Sequence, residues 1–271
     1  MCGSATEAED VEKLMNGVRA DMIFTDPPYG VSYDGAGGTA KDKRWEIIKN
    51  DNLRGEDLNL FLADAFANAY IHSKDTAPIY SWFSPKTHIE FRLALEAAGW
   101  EYKEEMIWNK GMSLSGADYQ YAHEPVFYFQ KKGHKAAWYG GRNKKTILGM
   151  QRWDLESKTS EQLIDIINAI MTISTVWELS RENVMAYQHP TQKPVTLSAR
   201  AIQNSSEDGG VVLDLFAGSG STLMGAEQTR RVACVMELDP KYVDVIRKRY
   251  WKFVNDNNEE GWEENTPAIK E

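Results

Sequence analysis

The tetrapeptide Asp26-Pro27-Pro28-Tyr29 gathers hydrogen-bond acceptors beside a flat ring. Two consecutive prolines bring no N–H, so the local surface is the Asp26 carboxylate plus the carbonyls of Asp26 and Pro27. A ligand that only donates, such as an –NH₂ group, suits that surface. Tyr29 adds a face for stacking on a planar ring. An amino group on a flat ring describes the edge of a nucleobase. An ordinary strand-to-turn junction with a packed tyrosine would use the same residues, because Asp-Pro also starts turns. The four residues alone leave both readings open.

A second group lies near the other end of the chain. Residues 211–215 form an apolar run that leads through Phe216-Ala217-Gly218-Ser219-Gly220 into a helical pattern from Ser221. The two glycines let backbone approach a ligand closely, and the following helix offers free N–H groups. The next apolar run ends at Glu237, with Asp239 beyond it. An acid at that place grips a ribose diol in sheets of this kind. A nicotinamide-dinucleotide enzyme would use the same logic, but its third glycine is expected at 223, where Leu223 stands, with Gly225 close by.

Both groups need strand ends to hold them. Residues 21–26, 79–83, 103–108, 124–130, 211–215 and 232–237 read as strands. Helices are expected over 6–16, 56–72, 85–98, 161–172, 194–204, 221–229 and 240–254. Ser84-Pro85 caps one start, and Gly99 ends that helix. The alternation predicts an α/β fold with a mixed, mainly parallel sheet. Three glycines among Gly35, Ala36, Gly37 and Gly38 read equally as a loose loop or as a lid over the first group.

The chain has 271 residues, enough for one large α/β domain with an insertion. No membrane span or signal peptide is visible, and Cys2 and Cys234 form no framework, so a reducing compartment is expected. Five scattered histidines predict no metal site. A net charge of −9 counts against a protein that simply coats nucleic acid, although basic residues cluster between Lys131 and Lys158. The chain starts without a preceding strand, which suggests a piece of a longer polypeptide.

Asp26-Pro27-Pro28-Tyr29, Phe216-Ala217-Gly218-Ser219-Gly220 and His189-Pro190-Thr191-Gln192-Lys193-Pro194, in this order, resemble the signatures of β-class S-adenosylmethionine-dependent DNA amino-methyltransferases. The resemblance implies a Rossmann-like methyltransferase fold that methylates adenine N6 or cytosine N4 in DNA. It assigns 1–131 to a catalytic part and 176–254 to a cofactor part, which leaves 132–175 for target recognition, and the charge pattern makes 255–271 an acidic tail. It places Asp26, Pro27, Pro28 and Tyr29 on the flipped base. Asp214, Phe216, Gly218, Ser219, Gly220 and Glu237 then surround S-adenosylmethionine, with Thr191 and Lys193 at its carboxylate and His189 nearby. Arg142, Lys144, Lys145 and Arg152 would meet DNA, with Trp138 and Tyr139 free to wedge or stack. Ser4 stands where the family often has an acid, which bears on how the cofactor's adenine is held. Asp at 26 favours adenine over cytosine. A cytoplasmic location in a bacterium, an archaeon or a phage-infected cell follows. A homodimer, a fused domain and an accompanying restriction enzyme all stay open, as does a module that binds cofactor and nucleic acid without methylating.

Overall fold

The computed structural model describes residues 1–32, 48–110, 123–140, 159, 176–178 and 193–266. Side-chain alternation along the strands sets the architecture. In β1 (Met22–Thr25), Met22 and Phe24 enter one buried cluster while Ile23 enters another. In β2 (Pro78–Trp82), Tyr80 and Trp82 join the first of these clusters and Ile79 the second. A period of two with both sets buried means that both faces of the sheet are covered. One face carries α1 (Ala8–Met15), α2 (Gly55–Ile71) and α3 (His88–Ala97), through Val11, Leu58, Leu62, Phe66 and Phe91. The other carries α4 (Val195–Ser205) and α5 (Ser221–Gln228), through Leu197, Ile202 and Ala226.

The remaining strands are β3 (Trp100–Asn109), β4 (His123–Lys131), β5 (Val176–Glu178), β6 (Val211–Asp214) and β7 (Val232–Val235). The sheet order is β5-β3-β4-β2-β1-β6-β7. Within it β4 alone runs against its neighbours, pairing antiparallel with both β2 and β3. The chain moves outward from β1 to β2 and later returns to the other side of β1 as β6. This makes the carboxyl ends of β1 and β6 a topological switch point, where open α/β sheets form their ligand crevice.

Most expected elements are present within a residue or two. The helix predicted from 85 opens as a 3₁₀ turn (Pro85–Thr87) capped by Ser84, and α3 follows it. α6 (Pro240–Val254) starts behind Asp239, whose side chain accepts the Lys241 N–H at 3.0 Å. The expected acidic tail is structured as far as 266. It forms α7 (Trp262–Asn265), folded back so that the Arg247 guanidinium lies 5.1 Å from the Trp262 ring and donates to Thr266. The expected helix 161–172 and the glycine stretch 35–38 lie outside the described residues. No described helix is long and apolar enough to cross a membrane.

Candidate active site

β1 delivers Asp26 to the crevice, and three contacts fix the loop behind it. The buried Asp51 carboxylate accepts the Gly30 and Val31 N–H groups at 2.9 and 3.3 Å. Thr87, in the 3₁₀ turn, donates its hydroxyl to the Tyr29 carbonyl at 2.9 Å. The Tyr29 ring stands edge-on to Phe91, with centroids 6.2 Å apart. Two prolines cannot join the ladder, so side chains take over the work of holding this turn.

Both oxygens of Asp26 are engaged. Oδ1 accepts the Tyr29 hydroxyl at 2.7 Å, and Oδ2 accepts the Lys193 ammonium in a short ion pair. A second carboxylate stands on the other side of that ammonium, with Glu124 Oε2 at 3.5 Å. Glu124 Oε1 in turn accepts Lys110 Nζ at 2.8 Å. The Lys193 ammonium also lies 4.8 Å from the Trp82 ring. Trp82 carries the one buried side-chain donor, its indole N–H, that lacks an acceptor among the described residues. Burial pushes the Asp26 carboxyl up, against the pull of Lys193. Burial would depress Lys193, but Asp26 and Glu124 outweigh it and hold the ammonium above its usual range. Lys193 therefore keeps its proton and faces two carboxyl groups. The Tyr29 phenol is driven well above its ordinary value by burial and then by the Asp26 charge, so it stays a donor.

The second group meets the first across adjacent strands. Thr25 donates to Asp214 Oδ1 at 3.0 Å, joining the ends of β1 and β6. Asp214 is otherwise held by the Phe216 N–H at 3.0 Å and the Thr222 hydroxyl at 2.6 Å. Its carboxyl is pushed up to about 7 by burial, against those three hydrogen bonds. Glu237 accepts the Gly218 N–H at 2.9 Å and the Asp239 N–H at 3.0 Å, and burial raises it too. Phe24, Asp26, Lys193, Asp214, Phe216 and Gly218 are among the residues that line one open cleft of about 420 Å³ here. Gly225 completes no dinucleotide turn. It is where α5 packs on α4, since a Cβ there would come within 2.3 Å of Ser198 Oγ.

Of the expected residues, Asp26, Asp214, Phe216, Gly218 and Ser219 line the cleft. Gly220 stands beside it at the start of α5, and Glu237 reaches it through Gly218. Lys193 lines the cleft as well, but its ammonium is committed to Asp26 and Glu124. His189, Thr191, Arg142, Lys144, Lys145 and Arg152 lie outside the described residues. Trp138 and Tyr139 are not at the site. Because β4 is antiparallel, the chain leaves it at the opposite edge of the sheet. There Ala137 N–H bonds Thr76 O at 2.8 Å, and Tyr139 N–H bonds Asn204 O at 2.7 Å. Sequence reasoning missed Thr25, Asp51, Thr87, Lys110, Glu124 and Thr222. Lys110 and Glu124 carried no local signal, since β3 itself holds Glu101, Lys103, Glu104 and Glu105. Ser4, where an acid was expected, receives one from elsewhere: its N–H donates to Asp10 Oδ2 at 3.0 Å.

Comparisons with known proteins identify the family and the fold. The family model N6_N4_Mtase, described as "DNA methylase", matches residues 20–248. The type II methyltransferase M2.DpnII of Streptococcus pneumoniae is 27% identical over 242 residues, covering 84% of this chain and 81% of that protein. M.HpaI of Haemophilus parainfluenzae is 25% identical over 235 residues, covering 84% and 67%. Among solved structures, the M1.HpyAVI–SAM complex matches with a TM-score of 0.62 at 19% identity, covering 92% of this chain and 97% of that one. The cytosine-N4-specific PvuII DNA methyltransferase matches with a TM-score of 0.57 at 16% identity, covering 95% and 94%. The chain shares the Rossmann-like methyltransferase fold of these structures. The chain belongs to the DNA methylase family of amino-methyltransferases.

Proposed function

We propose that this chain transfers a methyl group from S-adenosylmethionine to the exocyclic N6 of an adenine flipped out of DNA. The observation that carries the reading is the Asp26 carboxylate on the wall of the cleft that Asp214, Phe216 and Gly218 also line. The donor set fits the cofactor. Gly218 and Ser219 give close backbone approach, while Glu237 and Asp214 offer carboxylates to hydroxyl and amino groups. Asp10 brings a carboxylate to Ser4, where the family often carries one of its own.

S-adenosylmethionine supplies an electrophilic methyl on a sulfonium. The chain's own task is to make a poor nucleophile face it. The exocyclic nitrogen shares its lone pair with the ring. Hydrogen bonds from its amino group to Asp26 and to the Pro27 carbonyl favour a more tetrahedral nitrogen and aim the lone pair at the cleft. The target lies inside a stacked duplex, so it must be extruded, with Tyr29 as its stacking face. Arg142, Lys144, Lys145 and Arg152 would hold phosphates or guanine edges from the recognition segment.

Cytosine N4 is the second reading. It is favoured by the fold shared with the PvuII enzyme, and its amino group suits Asp26 as well. Asp at 26 supports adenine through the resemblance described above. The test is methylation of plasmid DNA with labelled S-adenosylmethionine, followed by digestion to nucleosides and mass analysis. N6-methyldeoxyadenosine is expected. N4-methyldeoxycytidine alone would replace adenine by cytosine, and no transfer at all would reduce the chain to a binding module.

A further inference from the structure

The acceptor that the proposed reaction needs is already in use. Tyr29 holds Oδ1 of Asp26 and Lys193 holds Oδ2. Each oxygen can accept a second hydrogen bond, so an entering amino group competes most directly with Lys193, which lines the cleft as Asp26 does. Tyr29 is fastened three ways, by its hydroxyl on Asp26, by Thr87 on its carbonyl and by its ring on Phe91. Lys193, whose ammonium also donates to the Tyr29 hydroxyl at 3.2 Å, carries its charge on a flexible four-carbon stem with no backbone anchor near the acid. Its side chain is only 6% exposed, so an ammonium that left Asp26 for no partner would be a bare charge in a dry place. Glu124 Oε2 already stands 3.5 Å away, and Lys110 fixes the other oxygen of that carboxylate.

We propose that Glu124 is the second seat of the Lys193 ammonium, taken up when the target base claims Asp26 Oδ2. The handover moves no proton and breaks no covalent bond. Two carboxylates and two ammoniums remain paired throughout, with a neutral amino group added. Glu124 is then a positioning residue acting through Lys193, and Lys110 keeps it in place. This rests on the functional reading above, since it presumes that a base reaches Asp26.

The experiment is a double-mutant cycle over Glu124→Gln and Lys193→Met. Plasmid methylation gives kcat/KM, and DNA binding with S-adenosylhomocysteine present gives a readout that needs no turnover. Calorimetry with S-adenosylhomocysteine checks the cofactor cleft. With Lys193 intact, Glu124→Gln should lower kcat/KM and weaken cofactor-dependent DNA binding by at least about tenfold, because the ammonium is left with Asp26 alone. Affinity for S-adenosylhomocysteine should stay unchanged, and Glu124→Asp should recover part of the loss. In Lys193→Met there is no ammonium to hand over, so Glu124→Gln should change DNA binding by less than about twofold. Equal losses in both backgrounds would give Glu124 a merely structural role and overturn the proposal. So would a variant with wild-type activity, or loss of cofactor binding in Glu124→Gln. A wild-type chain that transfers no methyl to DNA fails before any variant is made, and removes the functional reading together with this one.

Discussion

The two halves of the cleft hold their carboxylates in different ways. On the proposed cofactor side, Asp214 and Glu237 are gripped by neutral backbone N–H groups and short hydroxyl side chains from the end of β1, the turns after β6 and β7, and the start of α5. On the proposed substrate side, Asp26 is gripped by a phenol and a lysine ammonium. Backbone donors cannot leave without undoing the fold, whereas a lysine can. Under the proposed function, the cofactor half is ready before binding and the substrate half is opened by it.

The strongest way to break that contrast is to spoil the rigid half. Gly220 sits at φ +83°, and a Cβ there would press to 3.0 Å from Ile246 Cγ2. Gly220→Val should lose measurable binding of S-adenosylhomocysteine and about 2 kcal/mol of stability in urea unfolding. Unchanged affinity would show that the turn is more pliant than the contrast allows. Next comes Glu237→Ala, which should weaken the same ligand by roughly 1.5–3 kcal/mol, the worth of a charge-assisted hydrogen bond. Calorimetry showing no change would take the ribose away from Glu237.

A subtler effect is pH. The Asp214 carboxyl lies at about 7 in the fold, well above its unfolded value, so the folded state binds that proton more tightly. The stability this brings is complete below the unfolded pKa of about 4 and is lost as pH rises through about 7. Asp26 and Glu237 are raised as well and act in the same direction. Asp214→Asn should thus flatten, without abolishing, the fall in Tm across that window in calorimetric scans. An identical slope would mean that Asp214 does not titrate there. The smallest expected effect is at the far edge of the sheet. Trp138→Ala and Tyr139→Ala should leave DNA affinity within about twofold in titrations at fixed salt, because neither lies near the cleft. A large loss would put DNA on that edge.

That last pair also shows how far the sequence could be read. The strand at 124–130 was plain from its apolar run, but hydrophobic pattern carries no strand direction. A parallel β4 would have released Trp138 and Tyr139 beside Asp26; the observed antiparallel β4 releases them at the opposite edge. The motifs themselves were legible because proline pairs and glycine turns mark strand ends locally. The Lys193–Asp26 pair joins positions 167 residues apart, and nothing local announces it. Resemblance sent Lys193 to the cofactor's carboxylate, and in this structure its ammonium pairs with Asp26. Thr25 was overlooked for a similar reason, being an ordinary hydroxyl until β1 and β6 are neighbours. Thr222 meets Asp214 across one local turn.

The central claim is that Asp26 serves the transferred amino group while the opposite wall serves the cofactor. Its most direct test is single-turnover methyl transfer from pre-bound labelled S-adenosylmethionine into plasmid DNA, comparing wild type with Asp26→Ala. The account predicts that the variant retains the cofactor with near wild-type affinity and transfers its methyl at least about a hundredfold more slowly. A variant that transfers at the wild-type rate, or one that fails to hold the cofactor at all, would contradict it.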